Sequence, residues 1–130
     1  MIETGYLPNP ENWHLWNEVL ALLDTAARLA DCRPWHDGDL LWIAIDGGQV
    51  IGAATTRLTD DGNAELMNVA GTRGREWFKR LDVQIEDWAR GSGARVIVSR
   101  GRKGWRRVVE NWGWRMVGAD NGLTLYEKAL

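Results

Sequence analysis

The sequence is nearly without cysteine, histidine and phenylalanine: Cys32 stands alone, His14 and His36 are the only histidines, and there is one phenylalanine. A single cysteine excludes an internal disulfide, and two isolated histidines leave no set with zinc-ligand spacing, so no metal is expected. Long apolar runs are missing too. No segment approaches the roughly 20 residues that span a bilayer, and the opening Met-Ile-Glu-Thr-Gly has neither the basic start nor the apolar stretch of a secretion signal. A cytoplasmic location without a membrane span is the expectation.

What is present fits one domain covering residues 1–130, a length that can bury a core of its own. Aromatic content is concentrated in tryptophan, nine residues against two tyrosines, and a buried indole needs an acceptor for its N–H. Core filler is the plain reading of these indoles. The net charge of −2 hides a strong asymmetry. Between Gly71 and Arg115 twelve Arg or Lys face five Asp or Glu, while the rest of the chain carries four against thirteen. A basic half of this kind suits a phosphorylated ligand, a nucleic acid or an acidic protein surface.

Apolar residues recur at helical spacing from Asn12 to Ala30, and Cys32-Arg33-Pro34 ends that run. Leu40 to Asp46 and Gln49 to Leu58 read as strands joined by a tight Gly47-Gly48 hairpin, and a third strand runs from about Ala64 to Ala70. From Arg75 to Arg90 a helix places Trp77, Leu81, Ile85 and Trp88 on one face, with Lys79, Arg80, Asp82, Glu86 and Asp87 mostly elsewhere. Arg95 to Ser99 is a short strand, and strand, helix, strand implies a parallel crossover. A helix over about Lys103 to Trp112 and two strands, Arg115 to Gly118 and Leu123 to Lys128, complete an α/β (α+β) order with a mixed, mostly antiparallel sheet flanked by helices.

Three stretches carry a resemblance. Asp46-Gly47-Gly48-Gln49-Val50-Ile51-Gly52, then Met67-Asn68-Val69-Ala70-Gly71-Thr72-Arg73-Gly74, then Glu110-Asn111-Trp112-Gly113-Trp114 with Leu125-Tyr126-Glu127-Lys128 resemble the Gcn5-related N-acetyltransferase (GNAT) superfamily over roughly residues 10 to 130. The resemblance implies acetyl-CoA as cofactor, with its pyrophosphate at the helix start where main-chain amides and the helix dipole favour anions. Val69, Gly71, Arg73, Gly74 and Arg75 are the positions that would contact it.

Two features depart from the family pattern. In either alignment of the glycine-rich turn Glu76 takes a small-residue position, and in one of them Phe78 takes another. A carboxylate there repels a pyrophosphate. The tyrosine that in many family enzymes protonates the departing thiolate falls on Val109. Glu65 is the carboxylate best placed on the central strands to act as a base, though a solvated strand-edge charge is the blander reading. Three readings stay open: a non-catalytic GNAT-fold protein that holds no cofactor, an active acetyl-CoA-dependent N-acetyltransferase, and a nucleic-acid or polyanion binder using Arg100, Arg102, Lys103, Arg106 and Arg107. Residues 71 to 110 further resemble small GNAT-like proteins of tailed bacteriophages, some of them associated with internal virion proteins. That favours the first reading, with a phage or host protein as partner and the host cytoplasm or the virion as location.

Overall fold

The computed structural model describes residues 1–29, 32–101, 109–110, 112–120 and 122–130. The order is β1 (Ile2–Leu7), a 3-10 turn (Pro10–Asn12), α1 (Trp16–Leu29), β2 (Leu40–Asp46), β3 (Gln49–Leu58), β4 (Ala64–Gly71), α2 (Gly74–Gly91), β5 (Val96–Gly101), β6 (Arg115–Asp120) and β7 (Leu123–Ala129). The strands form one sheet in the order β1-β2-β3-β4-β5-β7-β6. Every neighbouring pair is antiparallel except β4 and β5, which are parallel as the crossover requires.

Alternation along β2 divides the core. Leu41 and Ile43 join Val19 and Leu23 of α1, whereas Trp42 and Ala44 join Trp77, Phe78, Leu81 and Ile85 of α2. Successive side chains on a strand point to opposite faces, so the two helices cover opposite faces of the sheet. Burying each of the four large apolar side chains of α2 contributes roughly 1.5–3 kcal/mol. Buried indoles find acceptors as the composition demands: Trp42 Nε1 donates to Thr56 Oγ1 at 2.9 Å, Trp77 Nε1 to the Thr72 carbonyl at 2.7 Å, and Trp114 Nε1 to Asp82 Oδ2 at 3.3 Å.

Three sequence expectations need correction. The first strand was not expected, because Ile2–Leu7 has no run of alternating apolar residues; it pairs along its whole length with β2 as an edge strand. Helix α1 begins at Trp16 rather than Asn12, since Pro10–Asn12 closes a separate 3-10 turn whose Pro10 is buried. Asp82 and Glu86, placed mostly off the apolar face of α2 by the sequence, are buried, 2 % and 4 % exposed. The helix expected over Lys103 to Trp112 lies mostly outside the described residues.

Candidate functional site

Strand β4 runs to Gly71 and β5 to Gly101, yet they pair only at Ala64↔Ile97, Glu65↔Val98 and Leu66↔Ser99. Past Leu66 the two strands part. Ser99 Oγ closes the fork by donating to the Leu66 carbonyl at 2.9 Å. Beyond it lies a cavity of about 640 Å³, lined by residues 66–71 of β4, by Gly74, Arg75, Trp77 and Phe78 of α2, and by Ser99, Arg100 and Gly101 of β5. Its far wall is Val109, Trp112, Trp114, Leu123 and Tyr126, and Thr25, Ala26 and Leu29 reach it from α1. An opening reached by helices from both faces exists because a sheet whose central strands separate cannot be sealed by strand pairing.

The chain turns from β4 into α2 under two constraints. Gly71 has φ +144°, and a Cβ there would lie 2.2 Å from the Ile51 carbonyl oxygen. Gly52 gives its space to Trp77, whose ring atoms would lie 2.3 Å from a Cβ. Arg73 takes left-handed angles, φ 59°, at the start of α2, a conformation that a long side chain adopts at some cost in strain. Its guanidinium is fully engaged: Nε meets Glu76 Oε2 at 2.6 Å and Nη1 meets Asp46 Oδ2 at 2.7 Å. The hydrogen bonds with Glu76 and then Asp46 hold Arg73 above its ordinary pKa, and Arg73 in turn holds the carboxyls of Glu76 and Asp46 below theirs.

Of the cofactor positions read from the sequence, Val69, Gly71, Gly74 and Arg75 line the cavity, and Arg73 does not. Arg75 is exposed and has no ion partner among the described residues. Glu65 stands outside the cavity, hydrogen-bonded to Arg57 Nε at 2.7 Å across the β3–β4 pair. Arg100 lines the cavity, while Arg102, Lys103, Arg106 and Arg107 lie outside the described residues. Val109 is buried in the wall, and Tyr126, read from sequence as a packing residue, is buried and lines the cavity as well.

Sequence reasoning passed over Asn68 and Ser99. Asn68 is buried on β4 and its Nδ2 sits 3.4 Å from the carbonyls of Arg33 and Pro34, tying the segment after α1 to the cavity. A polar residue in a buried alternating position was the available signal for it. Among the described lining residues there is no carboxylate and no imidazole; the ionisable groups are Arg75, Arg100 and Tyr126. The cavity can therefore enclose a slender ligand and attract negative charge, and its described walls supply no general base.

Comparison with known proteins agrees with this geometry. No family model matches the chain, and no curated protein sequence does. Solved structures match throughout. An IAA acetyltransferase from Bacillus cereus is 17% identical, with a TM-score of 0.75 and all of both chains covered. An acetyltransferase from Bacillus subtilis in complex with CoA is 17% identical, with a TM-score of 0.70 over 99% of this chain and 97% of that one. A GNAT family acetyltransferase from Elizabethkingia anophelis with acetyl-CoA bound is 17% identical, with a TM-score of 0.71 over 99% and 98%. The arrangement of strands, crossover and parted sheet described above is the Gcn5-related N-acetyltransferase fold.

Proposed function

We propose that the cavity between β4 and β5 takes the pantetheine arm of coenzyme A or of its acyl thioester, and that the chain binds this ligand without an efficient transfer chemistry of its own. The observation that carries the reading is the parting of the two strands after three paired positions, which leaves residues 67–71 of β4 without a partner strand on that side and beside an apolar cavity. An extended amide-bearing chain can hydrogen-bond such an edge as an added strand does. Two solved structures of the same fold hold CoA or acetyl-CoA, which supports the choice of ligand. Slow chemistry follows from the lining, where Val109 offers no proton and no described carboxylate stands ready to take one. This reading differs from the cofactor-free one drawn from the sequence, because Glu76 is held by Arg73 and Phe78 faces the cavity stacked on Trp112, ring centroids 5.3 Å apart.

Isothermal titration with CoA and acetyl-CoA is expected to give binding in the micromolar range, and heat-silent titrations at millimolar ligand would sink the reading. Acetyl transfer to a panel of amines is expected to stay near the uncatalysed rate. An active N-acetyltransferase is the second reading, favoured by the Tyr126 side chain in the wall, and it requires transfer that Tyr126→Phe lowers by about 10² or more. Likeness to phage proteins over residues 71 to 110 makes a virion or host protein the partner we expect for the binding form.

Electrostatics at the head of α2 gives a separate expected outcome. Glu76→Gln frees Arg73 from one of its two carboxylates, so affinity for CoA should rise about threefold to tenfold at low salt, the gain fading as ions screen it. Titrations of both forms at two salt concentrations check this, and an equal or weaker affinity in the variant would show that Glu76 does not oppose the phosphates.

A further inference from the structure

Behind the cavity wall, α2 buries two carboxylates one turn apart, and their hydrogen bonds are incomplete. Glu86 Oε2 accepts from Lys128 Nζ of β7 at 3.0 Å, and Oε1 from Arg90 at 3.4 Å. Asp82 Oδ2 accepts from the Trp114 indole at 3.3 Å. Asp82 Oδ1, in contrast, is buried and meets no donor among the described residues. A bare carboxylate oxygen with no donor is costly in an apolar setting, and the cost vanishes when the oxygen carries a proton and donates it to a neighbour. Glu86 is that neighbour.

The pair lines a pocket of about 340 Å³ together with Lys79, Val83, Arg90, Trp112 and Lys128. Trp112 belongs to both spaces. Its ring stacks on Phe78, 22° from parallel, in the wall of the large cavity, while the residue also lines this pocket and its carbonyl accepts a hydrogen bond from Lys128 Nζ. We propose that Asp82 and Glu86 hold one proton between them, and that its loss in alkaline solution swings Trp112 off Phe78 and opens the cavity wall.

The coupling is electrostatic. A second negative charge beside Glu86 requires hydration or a cation, and the charged groups facing the pocket are Lys79 and Arg90 of α2, Glu86 itself and Lys128 of β7, the remaining neighbours Val83, Trp112 and Trp114 being uncharged. Arg90 already bonds Glu86 and Asp87, and Lys128 is shared between Glu86 and the Trp112 carbonyl. Drawing Lys128 toward Asp82 releases that carbonyl, and water reaches the new anion through the pocket that Trp112 lines. Trp114 moves the other way, because an N–H donates more strongly to a carboxylate than to an acid. Burial, followed by the hydrogen bond and the charge of Glu86, pushes the Asp82 carboxyl up to about 8, so the event falls in an accessible range.

Ligand-free protein tests this, independently of whether the cavity takes a coenzyme. With Asp82 labelled at its carboxyl carbon and the tryptophans at their indole nitrogens, NMR from about pH 6 to about pH 10 should show Trp112 and the Phe78 ring titrating with the same midpoint as Asp82. Trp114 should keep its hydrogen bond, Trp42 should not respond, and Asp82→Asn should abolish the Trp112 transition. A Trp112 signal that stays constant, or that moves identically in Asp82→Asn, overturns the proposal. Should Asp82→Asn fail to fold, Glu86→Gln serves instead: removing the neighbouring charge should lower the shared midpoint by about one pH unit or more, and an unmoved midpoint overturns it equally.

Discussion

Asp82→Asn is expected to stabilise the protein in mildly alkaline solution by about 2–4 kcal/mol and to change it little near pH 4. In an unfolded chain an aspartate titrates near 3.9, whereas burial, then Glu86, raises Asp82 to about 8 in the fold. Between those values folding takes up a proton. Stability therefore falls as pH rises through that window and levels off on either side, with the whole drop bounded above by about 6 kcal/mol. Asparagine has the shape of the neutral acid: its amide can donate toward Glu86 and its oxygen can accept from the Trp114 indole. It carries no proton to lose.

The other shifted carboxyls do not obscure the effect. Asp46, Asp61 and Glu76 are lowered, by Arg73 for Asp46 and Glu76 and by Thr59 for Asp61, so any stability they add is lost only as pH falls below the ordinary carboxylate range. Urea denaturation of both proteins at about pH 4.5, 6.5 and 8.5 measures the slope directly. A variant that is less stable than the parent at the highest pH, or that keeps the parent's slope, would show that Asp82 is charged in the fold.

Much of this was readable from the sequence, and what was not has a common cause. Helix α2 announced itself through Trp77, Leu81 and Ile85, since one helical face needs only local spacing, and the Gly47-Gly48 pair marked a hairpin through local backbone preference. Asp82 and Glu86 were misplaced because the same spacing puts them one turn apart wherever they point. Their burial depends on Trp114 and Lys128, which lie 32 and 42 residues further on. The cavity was invisible for a related reason: it arises from the ending of the β4–β5 ladder, and no residue pattern encodes the absence of a pairing. Strand β1 was missed because pairing with β2, rather than its own composition, makes it a strand. At the turn from β4 into α2, Gly71 and Gly74 signalled an unusual backbone, but the left-handed residue between them is Arg73, fixed by Asp46 from another strand and by Glu76 from its own helix.

That turn is also where the smallest change should do the most harm. Gly71→Ala is expected to cost about 3 kcal/mol or more, and two independent terms lead there. A φ of +144° is a region closed to side chains at of order 1–3 kcal/mol, and the added methyl would meet the Ile51 carbonyl oxygen at 2.2 Å and Gly52 Cα at 2.7 Å. Neither neighbour can yield. The Ile51 oxygen accepts the Thr72 amide at 2.8 Å, and Gly52 is pinned under the Trp77 ring, whose indole in turn holds the Thr72 carbonyl. Moving the turn breaks this ring of contacts and shifts the first residues of α2, so ligand affinity should fall along with stability, by about tenfold or more. Gly74→Ala is the control, because a Cβ there meets nothing within 4 Å and the residue begins the helix, and it should change stability by less than about 1 kcal/mol. Thermal melts of both variants separate the cases, and CoA titration of Gly71→Ala checks the loss of affinity. Equal stability of the two would mean that the turn is free to move and that the cavity mouth is not set by Gly71.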